Sequence, residues 1–288
     1  MRQPPELNAL RIDAAAATAA GSKSFYFATR FFPPDLARAA HAVYWFCRTT
    51  DDIVDENLGD INEWEAALRD ALRHGHSPNP TLDLFVRTSA EYDIPHEYPL
   101  ELVEGVKMDA LGHRYSTFDE LSIYCYRVAS VVGLMMMHII GAKPGAAPYA
   151  IDLGIAMQLT NILRDVGTDL RMGRIYIPSD ELDRFGYSSS DLRAGLRNEA
   201  FVRLMQFQCE RARSYYRSAA PGIPMLDERG RFAVKIAADV YEGILGRIES
   251  SDYDVFHRRA VVPKARKYWI TARALAMPAL RRCLHLQK

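Results

Sequence analysis

Along nearly the whole chain, apolar residues recur every three or four positions, the spacing that gives a helix one buried stripe. Alternation of the strand type does not persist for more than a few residues. The pattern predicts an all-α protein. Helix breaks are expected where Gly and Pro interrupt the periodicity: Phe32-Pro33-Pro34, Gly75 to Pro80, Pro95 to Pro99, Gly141 to Pro148, Ile177-Pro178, Gly186 to Ser190 and Pro221 to Pro224. Start signals agree with this division. Ser188-Ser189-Ser190-Asp191 follows Gly186, and Thr117-Phe118-Asp119-Glu120 sets a carboxylate three residues after a threonine, as a capping box does. No repeat, low-complexity tract or Gly/Ser linker divides the chain, so residues 1–288 read as a single domain.

The longest uncharged stretch, Val128 to Ala142, contains Ser130, Gly133 and His138 and is shorter than the ~20 apolar residues of a spanning helix, so it reads as a buried core helix. Hydrophobic residues at 49% and charged residues at 25% fit a folded globular chain. Lys+Arg and Asp+Glu both total 36, which leaves no global basic footprint and excludes nucleic acid as the expected partner. Cys47, Cys125, Cys209 and Cys283 lie far apart, without zinc-site spacing or disulfide-scaffold density, and read as reduced core or surface thiols. Arg2, Pro4, Glu6, Arg11 and Asp13 precede an alanine run, so an apolar signal core is missing and a cytoplasmic location is expected. The basic stretch with Arg258, Arg259, Lys264, Arg266 and Lys267 reads first as a solvated helix face, with peripheral contact to anionic membrane lipid as the alternative.

Two segments carry candidate chemistry. In Cys47-Arg48-Thr49-Thr50-Asp51-Asp52-Ile53-Val54-Asp55-Glu56, helical spacing puts Arg48, Asp51 and Asp55 on one face, with Asp52 off it. In the segment from Gln158 to Asp169, Gln158, Asn161, Asp165 and Asp169 form one polar stripe while Ile155, Leu159, Ile162 and Val166 fill other faces. Each alone is compatible with an ordinary solvated acidic face. Opposed across a bundle, four carboxylates would repel, because two like charges ~4 Å apart at an effective dielectric of ~20 cost about 4 kcal/mol. Cations must then neutralise them. Hard oxygen ligands without clustered Cys or His favour Mg²⁺, which binds few carboxylates and leaves positions for phosphate oxygens.

Ser22-Lys23-Ser24-Phe25-Tyr26, the stretch from Tyr44 to Asp55, Tyr115 to Leu121, and Asn161 to Gly167 resemble motifs of the squalene/phytoene synthase family and occur in family order. Tyr124 to Ala129 with Val132-Gly133, Arg171 to Pro178, and Asp252 to Phe256 with Arg258-Arg259-Ala260 extend the likeness over nearly the whole chain; the last run resembles the phytoene-forming members most. The resemblance implies an isoprenoid-synthase-type helical bundle with a central cavity. It implies that Asp51, Asp55, Asp165 and Asp169, with Asn161, hold two or three Mg²⁺ ions bridging prenyl diphosphates, and that Arg48, Gln158 and Asn161 contact diphosphate or metal. It also groups Ser22, Lys23, Phe25, Tyr44, Tyr124, Val128, Arg174, Tyr176, Tyr241 and Arg258 around the substrate. Plain alternatives stand beside these roles: Ser22 as a helix cap, Tyr44 and Tyr241 as core aromatics, Lys23, Arg174 and Arg258 as surface cations. Thr168 departs from the family, where an acid is common, and Met135-Met136-Met137 with His138 read as core packing.

The implied reaction is a head-to-head (1'-1) condensation of two geranylgeranyl diphosphates through a cyclopropyl diphosphate to phytoene. It ends in proton loss, so no NADPH is expected. The alternative within the family is a C30 enzyme acting on farnesyl diphosphate; outside it, a non-catalytic assembly or binding homologue. Chain length is expected to be set by Thr29 and His41. Thr29 shares a face with Ser22 and Phe25, His41 shares one with Tyr44, Arg48 and Asp51, and His41 lies ten residues, about 15 Å, below Asp51.

Overall fold

The computed structural model describes residues 5–285, with side chains from residue 6 to residue 276. Its α-helices are α1 (Pro5–Gly21), α2 (Lys23–Thr29), α3 (Pro34–Asp55), α4 (Ile61–His74), α5 (Pro80–Glu91), α6 (Glu97–Ala110), α7 (Phe118–Cys125), α8 (Val131–Ile140), α9 (Ala147–Arg171), α10 (Ser179–Arg184), α11 (Ser189–Arg193), α12 (Glu199–Ala219), α13 (Glu228–Ser250) and α14 (Lys264–His285). Among the described residues there is no β-strand, only an isolated bridge between Ala142 and Leu226. Every break expected from Gly and Pro falls between α-helices or in an α-helix's first turn, the Pro221 to Pro224 break forming a 3-10 helix, Ala220–Met225. At Ser188 the capping box is complete, with the Asp191 amide donating to Ser188 Oγ and the Ser188 amide to Asp191 Oδ2. At Thr117 the arm is displaced: Glu120 accepts from the Ser116 amide at 2.6 Å rather than from Thr117.

Two helices organise the bundle. Pro34 presets the first turn of α3, whose buried positions Leu36, Ala39, Ala40, Val43, Phe46, Thr50 and Ile53 face α5, α6 and α8. Phe46 stacks on Phe85 of α5 with ring centroids 4.0 Å apart. The second organiser, α9, is surrounded by α7, α8, α12 and α13, and buries Ile155, Leu159, Ile162, Leu163 and Val166. Thus one apolar core gathers around α3 and another around α9.

Between α7 and α8 the chain continues through a π-helical turn, Tyr126–Ser130, so Phe118–Ile140 forms one 23-residue helical stretch. By length and composition that stretch could span a bilayer, which the shorter Val128–Ala142 reading did not anticipate. Its segments instead pack on α3, α6 and α9, with Val131, Leu134 and Met135 buried. Cys125 and Cys209 are buried free thiols and Cys47 a half-buried one, whereas the Cys283 side chain lies outside the described residues.

Candidate active site

Asp51 and Asp55 leave the last turns of α3, and Asp165 and Asp169 the last turns of α9. After α9 the chain turns back, so that the Arg174 amide donates to the Asp169 carbonyl at 2.8 Å. The Arg174 side chain then crosses to α3, where its guanidinium donates to Asp55 Oδ1 at 2.6 Å. The two acidic segments therefore meet at the seam between the two cores, as opposed faces should.

A fifth carboxylate joins them. Asp109, at the end of α6, accepts from Tyr176 Oη at 2.7 Å and Tyr124 Oη at 2.8 Å, and its charge is felt at Asp51 and Asp169. The sequence pattern did not single it out, because a lone acid between Met108 and Ala110 forms no stripe; its one signal was an acid at the apolar end of a helix just before Leu111-Gly112.

The acids differ in state. Burial, then the charges of Asp55 and Asp109, push the Asp51 carboxyl up to about 8. Burial and the neighbouring Asp165 push Asp169 up to about 7. Asp165 is also buried, but Arg164 and Arg259 outweigh that effect and hold its carboxyl below the usual range. Arg259 donates to Asp165 Oδ1 at 2.7 Å and Oδ2 at 3.2 Å. That reach depends on Gly167: a Cβ there would stand 2.7 Å from the Phe256 carbonyl oxygen, so only glycine lets the loop after α13 lie this close to α9.

Arg259 and Arg48 both pair with carboxylates of these segments. Arg258 is exposed and has no hydrogen-bond partner among the described residues, while its neighbour Arg259 takes the place at the acids. Arg48 does not turn to Asp51 and Asp55; its guanidinium pairs with Asp52 and approaches Glu56 at 3.6 Å. Asp52, expected off the face, is thus the partner that holds Arg48 beside the site. Positions three and four residues on are both neighbours on a helix, so spacing alone could not choose between them.

Along the α9 stripe, the Asn161 amide donates to Gln158 Oε1 at 3.3 Å, which leaves Asn161 Oδ1 buried with no hydrogen-bond partner. A buried acceptor without a donor is costly unless a ligand completes it. Among the described residues no three carboxylate, His or Cys side chains converge tightly enough to enclose an ion alone. An oxygen-only set with surplus negative charge and one orphaned oxygen fits Mg²⁺, which takes few protein ligands and fills its octahedron with water and phosphate oxygens.

The remaining candidates sit on α2, α3, α13 and the π-helical turn. Ser22 caps α2, its Oγ accepting from the Phe25 amide at 3.2 Å. Phe25 stacks on Tyr44 at 5.3 Å, and burial pushes the Tyr44 phenol up to about 12. Tyr241 is half-buried near Tyr44, Val128 sits in the π-helical turn against the α9 core, and the Lys23 side chain is exposed. Thr29 Oγ1 lies 2.9 Å from His41 Nε2, with Tyr26 stacked on the His41 ring. A small cleft has Asp169, Arg174 and Tyr176 on its wall over apolar Ile162, Val166 and Ile175.

An all-helical bundle with opposed acidic helix ends defines a class of isoprenoid-type enzymes, and the comparisons narrow it. Residues 18–266 match the squalene/phytoene synthase family, and the chain belongs to it. It is 40% identical over 269 residues to the 15-cis-phytoene synthase of Synechococcus elongatus, covering 87% of each chain. It is 38% identical over 283 residues to the 15-cis-phytoene synthase of Synechocystis sp., covering 90% of this chain and 84% of that one. Among solved structures it resembles a dehydrosqualene synthase in complex with ligand, with a TM-score of 0.90 at 28% identity over 95% of this chain and 98% of the other.

Proposed function

We propose that this chain is a magnesium-dependent prenyltransferase that condenses two geranylgeranyl diphosphates head to head to phytoene, releasing diphosphate. The observation that carries the reading is the pair of opposed acidic helix ends, each with one carboxylate pushed far above its ordinary range, Asp51 to about 8 and Asp169 to about 7, beside an orphaned Asn161 oxygen. Asp51, Asp55, Asp165, Asp169 and Asn161 would hold Mg²⁺, which when bound neutralises the diphosphates and polarises the leaving oxygen. Arg48, Arg174 and Arg259 ring the acids and are placed to meet diphosphate oxygens as the C–O bond breaks. Phe25, Tyr44, Val128 and Tyr241 supply the apolar and aromatic wall that keeps water from an allylic cation. The whole chain acts as one domain.

Chain length rests on Thr29 and His41. Thr29 and His41 hydrogen-bond to each other, and as the floor of the tail pocket one small and one moderate side chain would favour the longer C20 substrate. The likeness to a dehydrosqualene synthase keeps a C30 reaction as the second reading. Incubation with Mg²⁺ and either C20 or C15 diphosphate, followed by identification of the hydrocarbon, decides between them. Phytoene from the C20 substrate is expected; better conversion of the C15 substrate, or a product saturated at its centre only when NADPH is added, contradicts the proposal. Thr29→Phe or His41→Trp should move the preference toward C15 about tenfold, since overpacking costs ~1–3 kcal/mol.

The product is a long hydrocarbon, and peripheral membrane contact is read onto α14. Tyr268, Trp269 and Leu275 are exposed there, and the Arg266 and Arg273 guanidiniums lie 4.2 and 5.5 Å from the Trp269 ring. Sedimentation with anionic but not neutral vesicles tests it.

A further inference from the structure

Asp109 is an expensive residue to place where it stands. Four carboxylates already need neutralising at this seam, and a fifth adds to their repulsion. Its surroundings raise the cost, since burial pushes its own carboxyl up against the pull of Tyr176, Arg174 and Tyr124. If the position only had to fill space, an apolar residue would serve better. What the carboxylate supplies is two acceptor oxygens, and each is taken by a different phenol, Tyr124 at one and Tyr176 at the other.

The backbone is arranged to make this contact. Gly105 lies one turn before Asp109 on α6, and a Cβ there would stand 2.6 Å from Val128 Cγ1 and 2.8 Å from Arg127 Cβ. Glycine therefore lets α6 press onto the π-helical turn that follows Tyr124. The two phenol rings are held side by side, 5.1 Å apart and 25° from parallel. Tyr176 also lines the same cleft as Asp169 and Arg174.

A phenol whose proton is directed into a carboxylate has an electron-rich ring, and the two phenol oxygens here lie 3.3 Å apart. Held still in a dry site, such a group stabilises positive charge without having to reorganise. We propose that Asp109 is a positioning residue that fixes Tyr124 and Tyr176 as a pair of polarised phenols facing the carbocation formed from the prenyl substrate. This rests on the prenyltransferase reading given above. An amide at this position would fail in a defined way, because it offers one acceptor oxygen and an NH₂ donor, so one phenol would have to reverse its hydrogen bond.

The test is a mutant cycle on full-length enzyme with C20 diphosphate and Mg²⁺. Asp109→Asn is expected to lower kcat about 10–100-fold, the loss of charge-assisted hydrogen bonds, with KM changed less than about threefold. The Tyr124→Phe/Tyr176→Phe double variant should lose a similar factor. Introducing Asp109→Asn into that double variant should cost less than about threefold more, because the groups it acts through are gone. A full second loss in the phenol-free background, or a rise in KM with kcat preserved, would overturn the proposal. The double Phe variant decides independently of whether Asp109→Asn folds: full activity without the two hydroxyls also overturns it. A wild-type enzyme that converts neither C20 nor C15 diphosphate would remove the underlying reading and the proposal with it, whereas an active wild type lets the cycle judge Asp109 alone.

Discussion

On α3 the first acid of the pair, Asp51, has no cation hydrogen-bonded to it among the described residues and the second, Asp55, is bonded by Arg174; on α9 the first acid, Asp165, holds Arg164 and Arg259 while the second, Asp169, has no such partner. The same i, i+4 spacing is thus neutralised in opposite order. Asp51 and Asp169 are left as the groups with uncompensated burial, the first pushed up to about 8 and the second to about 7. Two acid pairs of the same spacing in the sequence become, in the fold, one site with a saturated and an unsaturated carboxylate on each side. The unsaturated pair is where added cations gain most.

The largest effects are expected from substitution at the four acids. Each Asp→Asn change is expected to lower turnover at least ~10²-fold, the scale of removing a group that stabilises transition-state charge. Full activity in Asp51→Asn or Asp169→Asn would contradict the metal assignment. A smaller effect is expected at the cation side: Arg259→Ala frees Asp165 from one partner and should lower turnover about tenfold, roughly one charge-assisted hydrogen bond, while Arg258→Ala leaves it nearly unchanged. Equal losses at both arginines would refute the placement of Arg259.

Stability separates the two kinds of acid. In metal-free protein at pH 8, Asp51→Asn and Asp169→Asn remove buried charge without breaking an ion pair, and thermal unfolding should move up by about 2–4 °C, the shift of ~1 kcal/mol in a domain of this size. Asp55→Asn and Asp165→Asn strand an arginine and should move it down. A fall in Tm for all four would show that the acids are structural.

The smallest effect concerns pH. Asp51 and Asp169 have folded values above their ordinary 3.8, so below about pH 4 they cost nothing, and their contribution to stability is lost as pH rises through about 7 and 8. Asp165, held low, contributes above its ordinary value and loses that only in acid, outside this window. Metal-free wild type should therefore be less stable at pH 8.5 than at pH 6, and Asp51→Asn should flatten that slope. A slope of the opposite sign would contradict the assigned states.

The helical class, the breaks and both acidic stripes were legible because each is written in local spacing: Pro34 starts α3, and Asn161, Asp165 and Asp169 recur every four residues on α9. What was not legible depends on contacts distant in sequence. Asp109 is a single acid that matters only because Tyr124 and Tyr176 reach it from other segments. Arg259 rather than Arg258 faces the acids because Asp252 and Tyr253 adopt left-handed backbone at φ 55° and 58° and the loop lies on Gly167, which no periodicity encodes. The 23-residue length of the apolar stretch was hidden because a π-helical turn joins α7 to α8 without a sequence break.

The central claim, that cations bind between the unsaturated acids, is tested most directly by calorimetric titration of the protein with Mg²⁺ and inorganic diphosphate in buffers of different ionisation enthalpy. Metal must displace the protons that Asp51 and Asp169 carry near neutrality. Net proton release should therefore be clear at pH 7, small at pH 9, and much reduced in the Asp51→Asn/Asp169→Asn variant, which should also bind Mg²⁺ weakly. Binding of equal strength in that variant, with the same proton release as wild type, would contradict it.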